Sequence, residues 1–101
     1  MTQQSKQDTR LLLAALGKRA SGDVRSWASF VAHTEYLWQD SALVTDADAW
    51  QSLWFEMEII NGLALAEWEE LGWPADGLQS WADDYQQDAS ELVAELLTLL
   101  R

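Results

Sequence analysis

Residues 45–74, TDADAWQSLWFEMEIINGLALAEWEELGWP, decide the fold class. Thr45 can cap a helix at the start of this stretch, and two aspartates follow in the first turn, where negative charge is favoured. At the other end Gly72 can take the left-handed conformation common at helix C-termini, and Pro74 prevents continuation. The stretch therefore predicts one long helix that ends at Leu71.

The apolar residues of this helix form two stripes. The larger stripe comprises Trp50, Leu53, Trp54, Met57, Ala64 and Trp68. The smaller one comprises Phe55, Ile59, Gly62 and Ala66. A helix with two apolar stripes is either the central helix of a bundle or one that presents its second stripe to a partner.

Three further segments have helical spacing of apolar residues and short connections. The first runs from near residue 5 to residue 18 or 19, and the second from residue 24 to residue 38 or 39. The last runs from about residue 78 to residue 100, either as one helix or with a break near Asp88, because Asp88 and Glu91 can form a capping box. Together they predict an all-α fold, a compact irregular antiparallel bundle of about four helices in a single helical domain over residues 1–101.

Tryptophan is unusually frequent, with seven in 101 residues. Six of them lie on or beside apolar helical stripes and are expected in the core: Trp27, Trp38, Trp50, Trp54, Trp68 and Trp81. Trp73 follows the turn glycine, so we expect it to be the most exposed and to pack on Trp68 across the end of the long helix.

Charge is distributed very unevenly. The chain has 17 acids and six bases, a net charge of −11, and no lysine or arginine between Ser26 and Leu100. Only Asp8 and Asp23 lie outside this base-free stretch, which therefore holds 15 acids. Such a field repels nucleic acid and anionic lipid and attracts basic protein surfaces.

The acids of the last segment are arranged as a ridge. Asp84, Asp88, Glu91 and Glu95 follow one another at spacings of three and four residues. Like charges at this spacing repel, and a helix selected only for stability would intersperse lysines. The alternative is an acidic surface selected for solubility. The complete candidate set for partner binding is Glu56, Glu67, Glu70, Trp73, Asp84, Asp88, Glu91 and Glu95.

No residue pattern favours catalysis. His33 is the only histidine, and Phe30 stands where a Glu-x-x-His metal motif would need glutamate. Cysteine is absent, and neither a glycine-rich phosphate loop nor an Asp-rich calcium loop occurs. We therefore expect a protein that is not an enzyme, with no catalytic residue, no cofactor and no metal. Without about 20 consecutive apolar residues or an export signal, the expected location is the cytoplasm, away from membranes.

The base-free acidic stretch, Trp73 as the expected exposed aromatic residue, and the acidic ridge together resemble the small acidic helical immunity proteins of bacterial toxin systems. The resemblance is one of class and transfers no residue role. It implies tight one-to-one inhibition of a cognate toxin, often a nuclease, whose cationic cleft would receive the acidic side chains.

Two other functions remain open. The first is a nucleic-acid mimic that inhibits a restriction or CRISPR enzyme, and the second is an accessory helical subunit of a larger complex. A toxin or a mimicked enzyme predicts binding that weakens with salt, whereas an accessory subunit docked through its apolar stripe predicts salt-tolerant binding. The second stripe can equally bury itself against another copy, so a homodimer is also possible.

Overall fold

The computed structural model describes residues 2–101, and the side chains from Asp8 onward. Its elements are α1 (Thr2–Ala20), α2 (Val24–Thr34), a short 3-10 turn (Leu37–Gln39), α3 (Ala47–Glu70), α4 (Trp81–Asp84) and α5 (Gln86–Leu97). Helix α1 contacts α2 and α5, and α3 contacts the same two helices, so the four longer helices close into a ring around the core. The predicted all-α bundle is confirmed.

The second helix is shorter than predicted. It ends at Thr34, and Leu37–Gln39 form a separate 3-10 turn. The indole N–H of Trp50 on α3 donates to the Thr34 carbonyl at 3.0 Å. In a longer helix the backbone N–H of Trp38 would use that carbonyl. At the end of the helix the Thr34 carbonyl is therefore satisfied by a tertiary donor in place of a backbone N–H. Helix α1 also differs from prediction, since it begins at Thr2 and ends at Ala20.

The N-cap of α3 is Asp46, one residue after the predicted Thr45. The Asp46 carboxylate accepts from the backbone N–H of Ala49 at 3.0 Å. The backbone N–H of Thr45 donates to the Leu99 carbonyl at 2.7 Å, next to an isolated bridge between residues 44 and 100. Thr45 thus belongs to the segment that pairs with the C-terminus, and the helix starts one residue later than predicted.

The end of α3 follows the prediction. The helix closes at Leu71, and Gly72 has a φ of 81°. The backbone N–H of Trp73 donates to the Trp68 carbonyl, as in a Schellman terminus. The two indoles meet edge to face with ring centroids 4.9 Å apart. Trp73 is itself left-handed, with a φ of 56°.

The last segment is two helices, and it breaks at Tyr85 rather than near Asp88. Helix α4 is one turn long, and α5 starts at Gln86. The Tyr85 ring packs on Trp81 at a centroid distance of 5.7 Å while its hydroxyl donates to Glu67. Asp88 therefore lies within the first turn of α5 instead of capping a helix.

Five indole N–H groups connect the elements by donating to backbone carbonyls at 2.8–3.2 Å. Trp27 bonds to Met57, and Trp81 bonds to Ser21 across 60 positions of the chain. The others are Trp50 to Thr34, Trp54 to Val31 and Trp68 to Pro74. Trp27, Trp50, Trp68 and Trp81 are buried, while Trp38 and Trp54 are half-buried against the core. The six tryptophans expected in the core do contribute to it.

Within the described part of the chain, no helix combines the length and apolarity needed to cross a bilayer.

Candidate partner-binding surface

Helices α3 and α5 enclose an open groove of about 340 Å³. Three carboxylates and three aliphatic side chains line it: Glu56, Ile59, Ile60, Asp88, Glu91 and Leu92. It unites Glu56 with Asp88 and Glu91, which the sequence placed on separate helices. We call these six residues the acidic groove.

Helical geometry explains the mixture of acidic and aliphatic side chains. On α3, Ile59 and Ile60 lie three and four residues after Glu56, so they adjoin it on the helix surface. On α5, Leu92 lies four residues after Asp88 and is half-buried against the core. Helix α3 thus contributes one carboxylate and α5 two, each beside aliphatic side chains.

The groove contains no base among its lining residues. Its three carboxylates therefore stand beside low-dielectric aliphatic surface without a cation from the lining to offset them, which focuses a negative potential in the groove. Such a site suits a lysine or arginine side chain. The stem can cover the aliphatic residues while the charged head reaches a carboxylate.

Glu67, another predicted partner-binding residue, is engaged inside the protein. One carboxylate oxygen accepts from the Ser80 hydroxyl at 2.6 Å and the other from the Tyr85 hydroxyl at 2.7 Å. These two hydrogen bonds, that of Ser80 first, hold the pKa of Glu67 below its usual range against an opposing effect of desolvation. Glu67 thus connects α3 to the start of α4 and to the break before α5.

The remaining predicted residues lie on the surface outside the groove: Glu70, Trp73, Asp84 and Glu95. The predicted four-residue ridge is wrong in one respect, because the break at Tyr85 places Asp84 on α4. The ridge on α5 comprises Asp88, Glu91 and Glu95, about 10 Å long at 1.5 Å per residue.

Trp73 belongs to an aromatic cluster at the end of α3. It is 50% exposed. The guanidinium carbon of Arg25 lies 5.0 Å from the centroid of the Trp68 ring, on which Trp73 also packs. One of the few bases is thereby held by a cation–π contact.

Sequence reasoning missed Ile60 and Leu92 as part of a binding surface. Both have core-type helical spacing, so periodicity alone assigns them to the interior. The sequence feature that indicates the groove is the second apolar stripe of the long helix, because Ile59 belongs to that stripe and lines the groove. Which face of α3 meets α5 is a tertiary fact that no local pattern contains.

A second groove of about 340 Å³ is lined by side chains of α1 and α2, namely Leu13, Leu16, Arg19, Ser26, Ser29, Phe30, His33 and Thr34. His33 faces solvent, and its Nδ1 lies 2.7 Å from the Ser29 carbonyl, so this nitrogen carries the proton and donates. Among the described residues, no group of three histidine, aspartate or glutamate side chains is arranged to hold a metal ion.

Comparison of the chain with protein-family models, with curated proteins and with solved structures gives no match. The fold and the groove therefore define the protein only by class, as an all-α bundle with an acidic groove.

The Glu67–Tyr85 pair predicts a specific response to alkaline pH. The hydrogen bond to Glu67, followed by desolvation and nearby negative charge, raises the pKa of Tyr85 to about 12. Since the pKa of tyrosine in an unfolded chain is about 10, this contribution to stability is complete below pH ~10 and is lost as pH rises through about 12. In a Tyr36→Phe background, where Tyr85 is the remaining tyrosine, we expect tyrosinate absorbance to appear near pH 12.

Glu67→Gln should move that titration toward the ordinary value, because it removes the negative charge beside the hydroxyl. Glu70→Gln is the matched control, since it removes one exposed charge a turn away. Equal shifts in the two variants, or a Tyr85 titration near pH 10 in the folded Tyr36→Phe protein, would contradict the contact. At the acid end, the lowered pKa of Glu67 implies stability that is lost only as pH falls through that depressed value.

Proposed function

We propose that this protein binds a basic protein partner through the acidic groove and neutralises it, acting as an immunity protein against a cognate bacterial toxin. One observation carries the proposal: carboxylates from α3 and α5 converge beside aliphatic side chains in a groove with no lining base. Solubility requires dispersed surface acids, but it does not require their convergence at an apolar groove.

The protein would neutralise the toxin by binding the cationic side chains that the toxin uses to hold its substrate. A toxin that acts on nucleic acid needs cationic side chains to hold phosphates. Inserting one of these side chains between Glu56 and the carboxylates of α5 would remove it from the substrate-binding surface. The field of the base-free stretch would speed the encounter, and the rate should fall as salt is added.

The groove is the centre of the proposed interface rather than its whole extent. Stable protein interfaces bury roughly 800 Å² on each partner, so surrounding side chains must take part. Glu70, Asp84 and Glu95 are exposed acids suited to a polar rim. Trp73 is the exposed aromatic suited to an anchoring contact. Glu67 acts in this proposal by fixing α3 against Tyr85.

The shortened ridge favours this function over nucleic-acid mimicry. Three carboxylates over about 10 Å of helix match one or two cationic side chains better than a path of phosphates spaced at about 3.4 Å along a strand. The experiment below distinguishes nucleic-acid mimicry from this function.

The test is capture of the partner from lysate of the native host, at low and at high salt, with mass spectrometry of the eluate. The Asp88→Lys/Glu91→Lys variant should recover the partner at least about 10-fold less, equivalent to ~1.4 kcal/mol or more of binding free energy. Glu69→Lys/Asp83→Lys is the control, because it makes the same change in net charge at exposed positions outside the groove lining.

A recovered basic toxin domain whose activity is suppressed at one-to-one stoichiometry would support the proposal. A nucleic-acid enzyme would support mimicry instead. Binding that is indifferent to salt, or equally reduced in the groove and control variants, would contradict a role for the groove.

A further inference from the structure

An exposed apolar strip runs along α3 next to the acidic groove. Phe55, Ile59 and Leu63 follow one another at four-residue spacing and are 62%, 48% and 58% exposed. Gly62 and Ala66 adjoin them and are also exposed. Large aliphatic and aromatic side chains in a continuous row mark interaction sites more often than isolated ones do. We therefore expect the strip to contact a binding partner.

The strip and the acidic groove form one continuous surface. Ile59 belongs to both. Glu56 lies three residues before Ile59 and seven before Leu63, so it stands on the groove side of the strip. Asp88 and Glu91 face Glu56 across the groove. The surface is thus apolar along α3 and acidic along α5.

A second copy of the chain is a poor occupant. Pairing two strips face to face would bring Glu56 of one copy near the acids of the other, between molecules that each carry a net charge of −11. Anionic lipid is repelled by the same field. The remaining occupant that satisfies both the apolar row and the acidic side is a cationic protein segment with one apolar face.

We infer that the strip and the acidic groove together receive a basic amphipathic helix of the partner, an inference that rests on the proposed function and specifies its interface. The row from Phe55 to Leu63 rises about 12 Å at 1.5 Å per residue. A partner helix of about three turns would cover it, with apolar residues at spacings of three and four on the strip. Lysines or arginines on its adjacent face would meet Glu56, Asp88 and Glu91.

The inference is tested with two synthetic peptides of identical composition. In the first, leucines recur at spacings of three and four and lysines occupy one flank of the helix. In the second, the same leucines are dispersed around the helix. Titration of the full-length protein, followed by fluorescence anisotropy of a labelled peptide, should show the patterned peptide binding at least about 10-fold more tightly than the dispersed one.

The matched variants are Ile59→Ser/Leu63→Ser on the strip and Leu11→Ser/Leu12→Ser on α1. Both pairs replace side chains that are exposed to a similar extent, so circular dichroism should show that both variants fold. The strip variant should bind the patterned peptide at least about 10-fold more weakly than the wild type, because the lost contacts are apolar. The α1 variant should bind it as the wild type does.

Equal binding of the two peptides, or unchanged binding by the strip variant, would overturn the docked helix. The capture experiment with Asp88→Lys/Glu91→Lys would then still decide the proposed function by itself. A dimer in sedimentation analysis that Ile59→Ser/Leu63→Ser dissociates would also overturn the inference, because a second copy would occupy the strip.

Discussion

Replacing Trp27 with alanine is expected to destabilise the protein by about 3–5 kcal/mol, the usual cost of removing a buried tryptophan. The Trp27 side chain is fully buried, with its ring 6.2 Å from that of Phe30 and 6.0 Å from that of Trp81. Its loss leaves a cavity between these rings and removes the indole donor from the Met57 carbonyl. Since domains of this size are stable by roughly 5–15 kcal/mol, the variant should lose a large part of its stability.

Urea unfolding followed by circular dichroism measures this effect. Trp73→Ala is the control, because it makes the same substitution at a half-exposed ring whose edge-to-face contact is worth about 0.5–1.5 kcal/mol. Should Trp27→Ala be too unstable to purify, Trp27→Phe retains most of the volume and loses only the indole donor and part of the ring. A Trp27→Ala loss no greater than that of Trp73→Ala would contradict the packing described above.

The long helix illustrates what local sequence can predict. The end of α3 depends on Gly72 and its neighbours within residues 68–74, and the edge-to-face contact of Trp68 and Trp73 follows from that terminus. The all-α fold likewise follows from apolar spacing within each segment. These features are local in the chain, so no tertiary contact is needed to specify them.

The helix boundaries that the sequence predicted wrongly depend on contacts between residues distant in the chain. The end of α2 at Thr34 coincides with a hydrogen bond from Trp50, and the start of α3 at Asp46 follows the pairing of Thr45 with Leu99. Tyr85 interrupts the last segment while contacting Glu67, which lies 18 residues earlier. In each case the boundary of a helix lies at a tertiary hydrogen bond, which no local sequence pattern contains.

The candidate surface also has features that the sequence predicts and features that depend on tertiary packing. The acidic character of Asp88 and Glu91 can be predicted from composition and spacing. Their convergence with Glu56 depends on which face of α3 meets α5. The internal role of Glu67 also depends on that packing, because the hydroxyls of Ser80 and Tyr85 must approach both of its carboxylate oxygens. The sequence thus predicts that the surface is acidic, and the fold determines which acidic residues lie together on it.

Two glycines in helix interiors should respond oppositely to the same substitution. A Cβ at Gly17 on α1 would lie 2.5 Å from Cγ1 of Val93 and 3.3 Å from the Phe30 ring, whereas one at Gly62 on α3 meets nothing within 4 Å. Alanine at Gly62 should therefore stabilise the protein by about 0.5–1 kcal/mol, through the lower backbone entropy of the unfolded chain.

At Gly17 the same gain in helix propensity applies, but the contact with Val93 outweighs it. A β-branched side chain in a helix has one strongly preferred rotamer, and Val93 is buried, so its methyl group cannot turn away freely. Helix α1 must then move away from α5, and overpacking of this kind costs about 1–3 kcal/mol. We therefore expect Gly17→Ala to lower the free energy of unfolding and Gly62→Ala to raise it, as measured by urea unfolding of both variants. If Gly17→Ala were also stabilised, α1 could not pack on α5 as closely as the structure shows.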